Sequence, residues 1–370
     1  MKTRLPVRKA ILRRKTYEAP AEGRLNKMRL DFNENTSGCG PAALRALRKL
    51  TPQQLAMYPE YGKPTRRIAA YFGVSEHELL LTNGGDDALR VFFDAFVEPR
   101  NHILICEPTF PMYRYYAEIA GARVETLRYG AEMEFPLDDF VSALRKKPAV
   151  IFIANPNNPT GALLPRAAIK RVLLAASNTV VVIDEAYAEF SGVTVLPWIR
   201  KYPNLFVTRT FSKAAGLAGL RLGAAMACRE SIALLRRAMP PFPVNVGALV
   251  AAEAALQERS SIQSYVKQMR EIRQWFAGEL ARLGVRIFPS AGNFLLADFG
   301  SRGPALFKKL ATQGILVRER SKDIGPGFVR ISIGTGPEMK QLVKMIQREL
   351  GSNQKANQKA TRPTSQRGRN

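Results

Sequence analysis

Residues 179–184 read TVVVID, a short and uninterrupted apolar run that ends in a carboxylate. Three other runs have the same character: HILIC at 102–106, AVIFIA at 149–154 and NLFVTRT at 204–210. Their apolar residues are continuous rather than alternating, which is typical of strands buried on both faces of a mostly parallel sheet. These runs therefore predict the central strands of one sheet.

Amphipathic stretches fall between these runs. The sequence predicts helices at 86–96, 111–120, 137–144 and 165–176, the last with a proline in its first turn. Strand–helix alternation of this kind predicts an α/β fold with helices on both faces of the sheet. From about 246 to 283 the pattern is helical again and fits either one long helix or two.

A second, smaller unit is predicted near the C-terminus. Strands are expected at 293–299, 314–318 and 328–333, and helices at 303–313 and 337–350, which together make an α+β domain. We therefore expect five parts: a basic N-terminal arm (1–28), a segment packing with the small domain (29–50), a large domain (51–260), the small domain (261–350) and a tail (351–370). The tail is polar, lacks large apolar residues and is predicted to be disordered.

The net charge is the unusual feature of the composition. The chain of 370 residues holds 56 Lys and Arg against 31 Asp and Glu, a net charge of +25. Such a balance suggests nucleic acid, an anionic membrane or phosphorylated ligands as partners. However, segments 1–24 and 351–370 contribute +6 and +5 of that charge, and no helix-turn-helix, RNP or zinc pattern is present. Nucleic-acid binding is therefore a distant alternative to an enzyme with basic ends.

Other counts restrict the class of protein further. With only two histidines the sequence predicts no metal site, and three cysteines without CxxC spacing indicate a reducing compartment rather than a disulfide framework. No apolar run reaches the roughly 20 residues of a membrane-spanning helix, and the N-terminus lacks the apolar stretch of a secretory signal. We expect a cytoplasmic protein with no membrane partner.

Four polar clusters follow predicted strands, where ligands of open α/β sheets bind. They are TNGGDD (82–87), NPNNPTG (155–161), DEAY (184–187) and TFSK (210–213), the last followed by GLAGLRLG (216–223). Glycines before a helix let the backbone approach an anion, although an Asp-capped helix after a glycine turn is also common. The two Asn-Pro pairs of NPNNPTG predict a rigid turn that would hold a side-chain amide in a fixed position.

Two single residues stand out in these clusters. The carboxylate of Asp184 ends a buried strand, which is costly unless a structural ion pair or a protonated heterocycle meets it. Lys213 follows an apolar strand and lies among small residues. A lysine taken at random is a solvated surface amine. Here, however, the nearby Thr210, Ser212 and Arg221 would hold a phosphate beside Lys213.

Taken together and in this order, the clusters resemble the fold type I aminotransferases, which depend on pyridoxal 5′-phosphate (PLP). Within that group the chain is most similar to the histidinol-phosphate aminotransferase family. The segments that carry this similarity are LDFNEN (30–35), MYPEYG (57–62), TNGGDDAL (82–89), EPTFPMY (107–113), PNNPTG (156–161), TFSKAAGLAGLRLG (210–223) and VRISIGT (329–335). The resemblance implies a large domain with a mostly parallel sheet of the seven-stranded type, flanked by helices, and a smaller α+β domain.

The resemblance also implies roles at matching positions. Lys213 would hold the cofactor as a Schiff base and move the proton between the substrate Cα and the cofactor. Asp184 would keep the pyridine nitrogen protonated, while Asn158 and Tyr187 would bond the ring's 3′ oxygen. Phe110 would stack on the ring. The cofactor phosphate would be held by Gly85, Asp86, Thr210, Ser212 and Arg221.

Substrate and partner positions follow in the same way. Arg330 would clamp a substrate carboxylate, with Asn158 beside it. Arg318 would read a substrate phosphate, or else be an exposed arginine that serves solubility. Tyr58 would reach the cofactor phosphate of the neighbouring subunit in a homodimer, or else be a packed surface aromatic. After Asn35 the chain departs from the family pattern of proline and an aromatic, since Thr36, Ser37 and Gly38 stand there.

The implied reaction is transamination of L-histidinol phosphate with 2-oxoglutarate, a step of histidine biosynthesis. Two alternatives keep the fold and the cofactor: an aromatic amino-acid aminotransferase and a threonine-phosphate decarboxylase.

Overall fold

The computed structural model describes residues 5–12, 14, 16 and 22–360. The described residues form twelve strands: β1 (Met28–Leu30), β2 (Leu79–Thr82), β3 (His102–Glu107), β4 (Arg123–Arg128), β5 (Val150–Ala154), β6 (Val180–Asp184), β7 (Leu205–Thr210), β8 (Gly223–Met226), β9 (Arg286–Phe288), β10 (Phe294–Asp298), β11 (Ile315–Glu319) and β12 (Phe328–Ser332).

The same residues form fourteen α-helices: α1 (Lys9–Leu12), α2 (Pro41–Arg48), α3 (Pro52–Ala56), α4 (Gly62–Phe72), α5 (Gly85–Phe96), α6 (Met112–Ala120), α7 (Leu137–Ala143), α8 (Arg166–Ala175), α9 (Ala188–Ser191), α10 (Arg229–Arg237), α11 (Val246–Gln257), α12 (Arg259–Arg282), α13 (Gly303–Thr312) and α14 (Gly336–Ala360).

Seven strands make the large sheet, in the order β2-β8-β7-β6-β5-β3-β4. Strands β7, β6, β5, β3 and β4 run parallel to one another, whereas β8 runs antiparallel to both β2 and β7. The predicted α/β fold with a mostly parallel sheet is thus confirmed. The parallel strands end at one edge, which brings the polar residues after β5, β6 and β7 together.

The apolar runs of the large sheet are buried on both faces. Every residue of β5 is buried, and successive residues enter different cores: Ile151 and Ile153 pack in one cluster, Val150 and Phe152 in another. Helices cover both faces, so a continuous apolar strand rather than an alternating one is required. The four strands predicted from continuous apolar runs are β3, β5, β6 and β7.

Five strands make the small sheet, in the order β1-β11-β12-β10-β9. Strand β1 is parallel to β11, and the other pairs are antiparallel. Helices α12, α13 and α14 pack with this sheet around a separate core that contains Phe276, Phe294 and Leu342. Strands β11 and β12 lie side by side within this sheet, and Arg318 and Arg330 on them line a cavity together with residues of the large sheet.

Several predicted boundaries differ from the structure. The helical region from 246 to 283 is two helices, α11 and α12, which meet at Glu258. Helix α14 continues to Ala360, past residue 351 where the sequence predicts a disordered tail, and 361–370 lie outside the described residues. Much of the predicted arm, 1–4, 13, 15 and 17–21, also lies outside them. The domain boundaries at 28, 50, 260 and 350 stay predictions.

Within the described part of the chain, no helix combines the length and the apolar character needed to cross a membrane.

Candidate active site

A cavity of about 460 Å³ lies at the carboxyl edge of the large sheet. The last residues of β5, β6 and β7 (Ala154, Asp184 and Thr210) line it, and the small domain closes it with residues of β11 and β12. This is the edge at which open α/β sheets bind ligands.

Twelve of the thirteen residues selected from the sequence line this cavity. They are Gly85, Asp86, Phe110, Asn158, Asp184, Tyr187, Thr210, Ser212, Lys213, Arg221, Arg318 and Arg330. The exception is Tyr58, whose side chain is 78% exposed and whose ring stacks on Phe242 at a centroid distance of 4.5 Å. In the single chain Tyr58 therefore does not contribute to the cavity.

Lys213 lies just beyond β7, with its amine inside the cavity. Its Nζ donates a 2.8 Å hydrogen bond to the backbone oxygen of Phe32 and lies 5.9 Å from the centre of the Tyr187 ring. Burial, aided by the positive charge of Arg330, lowers the pKa of Lys213 to about 8. A lysine with this pKa holds a useful fraction of neutral, nucleophilic amine near physiological pH.

Asp184 is held by three donors. Oδ2 accepts a 2.7 Å bond from the hydroxyl of Tyr113, and Oδ1 accepts bonds from Thr208 Oγ1 at 3.0 Å and from the backbone N–H of Ala186 at 3.1 Å. Burial raises the pKa of Asp184, and these donors oppose that shift. The carboxylate is therefore fixed in direction and suited to meet a cation inside the cavity.

An anion cradle is formed where β2 turns into α5. Gly84 precedes the helix with φ +83°, and a Cβ placed on it would lie 2.6 Å from NH2 of Arg221. That arginine also pairs with Asp86 across 3.3 Å. Thr210 and Ser212, whose hydroxyls are 2.9 Å apart, complete the lining. A helix N-terminus, two hydroxyls and a guanidinium suit a phosphate.

Arginines occupy the wall formed by the small domain. Arg330 on β12 is 6% exposed and donates to Asn158 Oδ1 and to the backbone oxygen of Asp31. Its buried Nε has no hydrogen-bond partner among the described residues. Arg318 lies opposite Arg330 in the β11–β12 pairing, and Arg320 also lines the cavity. Burial lowers the pKa of Arg330 to about 10, so it stays cationic at neutral pH.

Residues 31–34, named the N-terminal wall below, form another side of the cavity. The backbone oxygens of Asp31 and Phe32 accept bonds from Arg330 and Lys213 as described above. Asn33 Nδ2 donates a 2.9 Å bond to the hydroxyl of Tyr187, and Glu34 lines the cavity itself. Asn33 adopts φ +55°, a conformation that asparagine tolerates better than most residues. The wall thus contacts the site through two backbone oxygens, of Asp31 and Phe32, and through the side chains of Asn33 and Glu34.

Sequence reasoning had not selected several of these residues. Tyr113 and Thr208 lie inside quoted segments, EPTFPMY and NLFVTRT, but their bonds to Asp184 link positions 71 and 24 residues apart. Arg320 lies two residues after Arg318, just past the end of β11 at Glu319, and also lines the cavity. No pattern in the sequence pointed to Arg320, because the predicted strand ends at 318.

The cavity residues fit PLP. The glycine cradle at Gly84 leaves room that a Cβ would fill, the carboxylate of Asp184 suits a protonated ring nitrogen, and Lys213 supplies an amine of lowered pKa. The unpartnered Nε of Arg330 shows that this guanidinium has a donor left for an acidic substrate group.

Fold and site together define a PLP-dependent enzyme of fold type I. Residues 26–346 match the family model of class I and II aminotransferases, so the chain belongs to that family and is an aminotransferase. The resemblance inferred from the sequence is therefore confirmed.

Within this family, the chain is similar to several histidinol-phosphate aminotransferases. The chain is 37% identical over 325 residues to histidinol-phosphate aminotransferase 2 of Legionella pneumophila (strain Lens), covering 86% of this chain and 88% of that one. It is 33% identical over 334 residues to the histidinol-phosphate aminotransferase of a Geobacillus species, covering 88% and 91%. The solved Sinorhizobium meliloti histidinol-phosphate aminotransferase in complex with PLP superimposes with a TM-score of 0.82 at 26% identity, covering 88% and 91%.

Proposed function

We propose that this aminotransferase transfers the amino group of L-histidinol phosphate to 2-oxoglutarate, a step of histidine biosynthesis. The observation that carries the proposal is the pairing of Arg318 with Arg330 on neighbouring strands of the cavity wall. One bidentate arginine suffices for a carboxylate, whereas a phosphate offers three oxygens and up to two charges. Arg320 adds a third cation on the same side.

The shared site must accept two amino donors in turn. L-Histidinol phosphate carries a phosphate where glutamate carries its α-carboxylate. Arg330 would bind either group, and Arg318 would add its bonds for the larger phosphate. The names of the relatives support the same substrate.

When bound, PLP supplies a ring that withdraws electrons from the substrate Cα. The chain's own groups then perform the remaining tasks. Asp184, held by Tyr113, would keep a positive charge at the ring nitrogen, and Asn158 and Tyr187 would bond the ring's 3′ oxygen. Phe110 would stack on the ring. Lys213 Nζ would take the proton from the substrate Cα and deliver it to the cofactor carbon on the other side of the amino nitrogen, two atoms along.

The cofactor phosphate would lie in the cradle at the start of α5. The residues assigned to it are Gly85, Asp86, Thr210, Ser212 and Arg221, which line one part of the cavity. The peptide N–H groups of the first helical turn and the Arg221 guanidinium would then neutralise its charge.

We also propose that the enzyme is a homodimer in which Tyr58 reaches the partner's cofactor phosphate. Tyr58 and Phe242 stack as an exposed aromatic pair, and Leu55 and Met57 beside them are 64% and 69% exposed. Exposed aromatic and apolar side chains grouped in this way are typical of interfaces. The experiment is to mix two variants, Tyr58→Ala and Lys213→Ala, each with an impaired site. A shared site should restore about a quarter of wild-type activity in randomly mixed dimers; no restoration would contradict it.

The compartment is proposed to be the cytoplasm. All three cysteines, Cys39, Cys106 and Cys228, are thiols, two of them buried. Unpaired thiols are typical of a reducing compartment.

Product analysis tests the proposed reaction against a decarboxylase of the same fold. Purified enzyme is incubated with 2-oxoglutarate and either L-histidinol phosphate or L-threonine phosphate, and both glutamate and carbon dioxide are measured. We expect glutamate from histidinol phosphate and no carbon dioxide from threonine phosphate. Release of carbon dioxide without glutamate would contradict the proposal.

A further inference from the structure

Arg24 lies outside the cavity but holds the N-terminal wall. Its Nε and NH2 donate to the two carboxylate oxygens of Asp31, at 3.2 and 2.6 Å, and NH2 also donates to Glu34 Oε2 at 2.6 Å. Its guanidinium carbon lies 4.0 Å from the centre of the Phe32 ring. One side chain therefore contacts three of the four residues of the wall.

The environment of Arg24 differs from that of a surface ion pair. The residue is only 9% exposed, and the side chains of Asp31 and Glu34 are 5% and 22% exposed. Burial acts against its charge, but the two carboxylates outweigh that effect and raise the pKa of Arg24. Arg29 also binds Glu34, but its side chain is 38% exposed. The buried cation of the cluster is thus Arg24, and its loss would leave two poorly solvated carboxylates.

These carboxylates matter because of what lies beside them. Glu34 lines the cavity, and the backbone oxygen of Phe32 accepts the bond from Lys213. The charged groups that act on Lys213 are Arg330 and Arg221, which disfavour its protonation, and Glu34 and Asp86, which favour it. Tyr187, whose ring centre lies 5.9 Å from Nζ, and Asp184 also line the cavity, and neither side chain is a cation. Of the two acids that favour protonation of Lys213, Glu34 is bonded to Arg24, whereas Asp86 pairs with Arg221.

We propose that Arg24 is a positioning residue for this active site: it neutralises Asp31 and Glu34, fixes the Phe32 carbonyl at the amine of Lys213, and weakens the stabilisation of a protonated lysine by Glu34. From the sequence, Arg24 is expected in the basic N-terminal arm, where it contributes to the net charge of +6 of segment 1–24. In the structure it is buried against the wall that faces the reactive amine.

The consequence is a shift in the protonation of Lys213. With Arg24 replaced by an uncharged side chain, the negative charge of Glu34 acts on the amine without its nearest counter-charge. The neutral fraction of Lys213 then falls at a given pH. Removing the charge of Glu34 instead should raise that fraction. The two substitutions therefore act in opposite directions, which loss of packing alone does not produce.

The experiment follows the covalent capture of PLP by Lys213 in the full-length chain freed of cofactor. The rate of capture is measured by visible absorbance between pH 6 and pH 10 for Arg24→Met, Glu34→Gln and the double variant. We expect Arg24→Met to be about three- to tenfold slower than wild type at pH 7.5, with its midpoint moved to higher pH. Glu34→Gln should move the midpoint lower, and the double variant should return it towards the wild-type value.

Arg45→Met is the matched control, because Arg45 pairs with Glu258 on an exposed surface, with its side chain 59% exposed. Its midpoint should equal that of wild type. The proposal is overturned if folded Arg24→Met keeps the wild-type midpoint, or if the double variant is as slow as Arg24→Met. Should Arg24→Met not fold, Glu34→Gln decides: an unchanged or higher midpoint overturns the proposal. No amine substrate is used, so the outcome is independent of the proposed reaction.

Discussion

The hydroxyl of Tyr113 on α6 donates a 2.7 Å hydrogen bond to Oδ2 of Asp184 at the end of β6. The tyrosine is fully buried and stacks on Phe152 of the central strand β5 at 5.1 Å. A carboxylate at the end of a buried strand is thereby fixed by a ring that is itself fixed in the core. Burial raises the pKa of Tyr113 well above its usual value, so the phenol is neutral and acts as the donor.

Replacing Tyr113 by phenylalanine should weaken the cofactor site without unfolding the core. A hydrogen bond to a charged group contributes about 1.5–3 kcal/mol, which corresponds to roughly a 10- to 100-fold weaker binding of PLP. Equilibrium titration of the cofactor measures the change. Tyr116→Phe is the control, since Tyr116 lies three residues along the same helix and does not line the cavity. Equal affinities for wild type and Tyr113→Phe would show that this bond does not support the site.

The glycine turn before α5 allows a second prediction. Gly84→Ala adds a Cβ 2.6 Å from the Arg221 guanidinium and requires φ +83°, so the arginine must move and the backbone is strained. We expect PLP affinity to fall at least about tenfold, because the phosphate cradle is displaced. Gly278→Ala, inside α12 with nothing within 4 Å of the added carbon, is the control and should stabilise the fold by up to about 1 kcal/mol.

The lowered pKa of Lys213 predicts how capture of the cofactor depends on pH. Only the neutral amine attacks, so with a pKa of about 8 the rate rises as pH increases towards 8 and levels above it. About one tenth of the amine is neutral at pH 7, against well under one hundredth for an ordinary lysine. Arg330→Gln should move the midpoint upward, since that cation disfavours protonated Lys213. A wild-type midpoint near the ordinary lysine value would contradict this account of the site.

The arginines that line the cavity predict that one substitution affects kcat/KM differently for a phosphate substrate and for a carboxylate substrate. Arg318→Gln should reduce kcat/KM for L-histidinol phosphate about 10- to 100-fold and affect L-glutamate less, because a carboxylate is satisfied by Arg330 alone. Arg330→Gln should reduce kcat/KM for both. Steady-state kinetics with each donor measures the difference. Equal losses for the two donors in Arg318→Gln would show that Arg318 does not discriminate phosphate from carboxylate.

The strands of the large sheet were predictable where burial on both faces imposes a continuous apolar run, as in β3, β5, β6 and β7. Strand β4 was not, because its sequence RVETLR lies at the sheet edge and is only partly buried. Strand β8, GAAM, is buried but made of small residues with weak strand preference. A partly polar edge strand such as β4 and a strand of small residues such as β8 therefore both lack the continuous apolar run by which a buried strand is recognised in sequence.

The candidate site likewise contains residues that the sequence predicts and residues that only the structure reveals. Lys213 and Asp184 were predictable because each is an ionisable residue at or shortly after the end of an apolar strand. A charge in such a position is costly without a partner, and its position can be read from the sequence. Tyr113 and Arg24 were not selected, because a tyrosine on a helix and an arginine in a basic arm look ordinary there. Their significance comes from bonds to Asp184 and Glu34 that only the folded chain forms.

The central claim is that this aminotransferase acts on L-histidinol phosphate, and the ratio of kcat/KM for L-histidinol phosphate to that for L-phenylalanine tests it most directly. Both are measured with 2-oxoglutarate as acceptor, following glutamate, with Lys213→Ala as the inactive control. The three arginines of the cavity wall predict a ratio of about 100 or more, because a site that binds a phosphate with several cations leaves some of them unpaired when a carboxylate takes its place. A ratio of one or less would contradict the claim and assign the enzyme to aromatic amino acids.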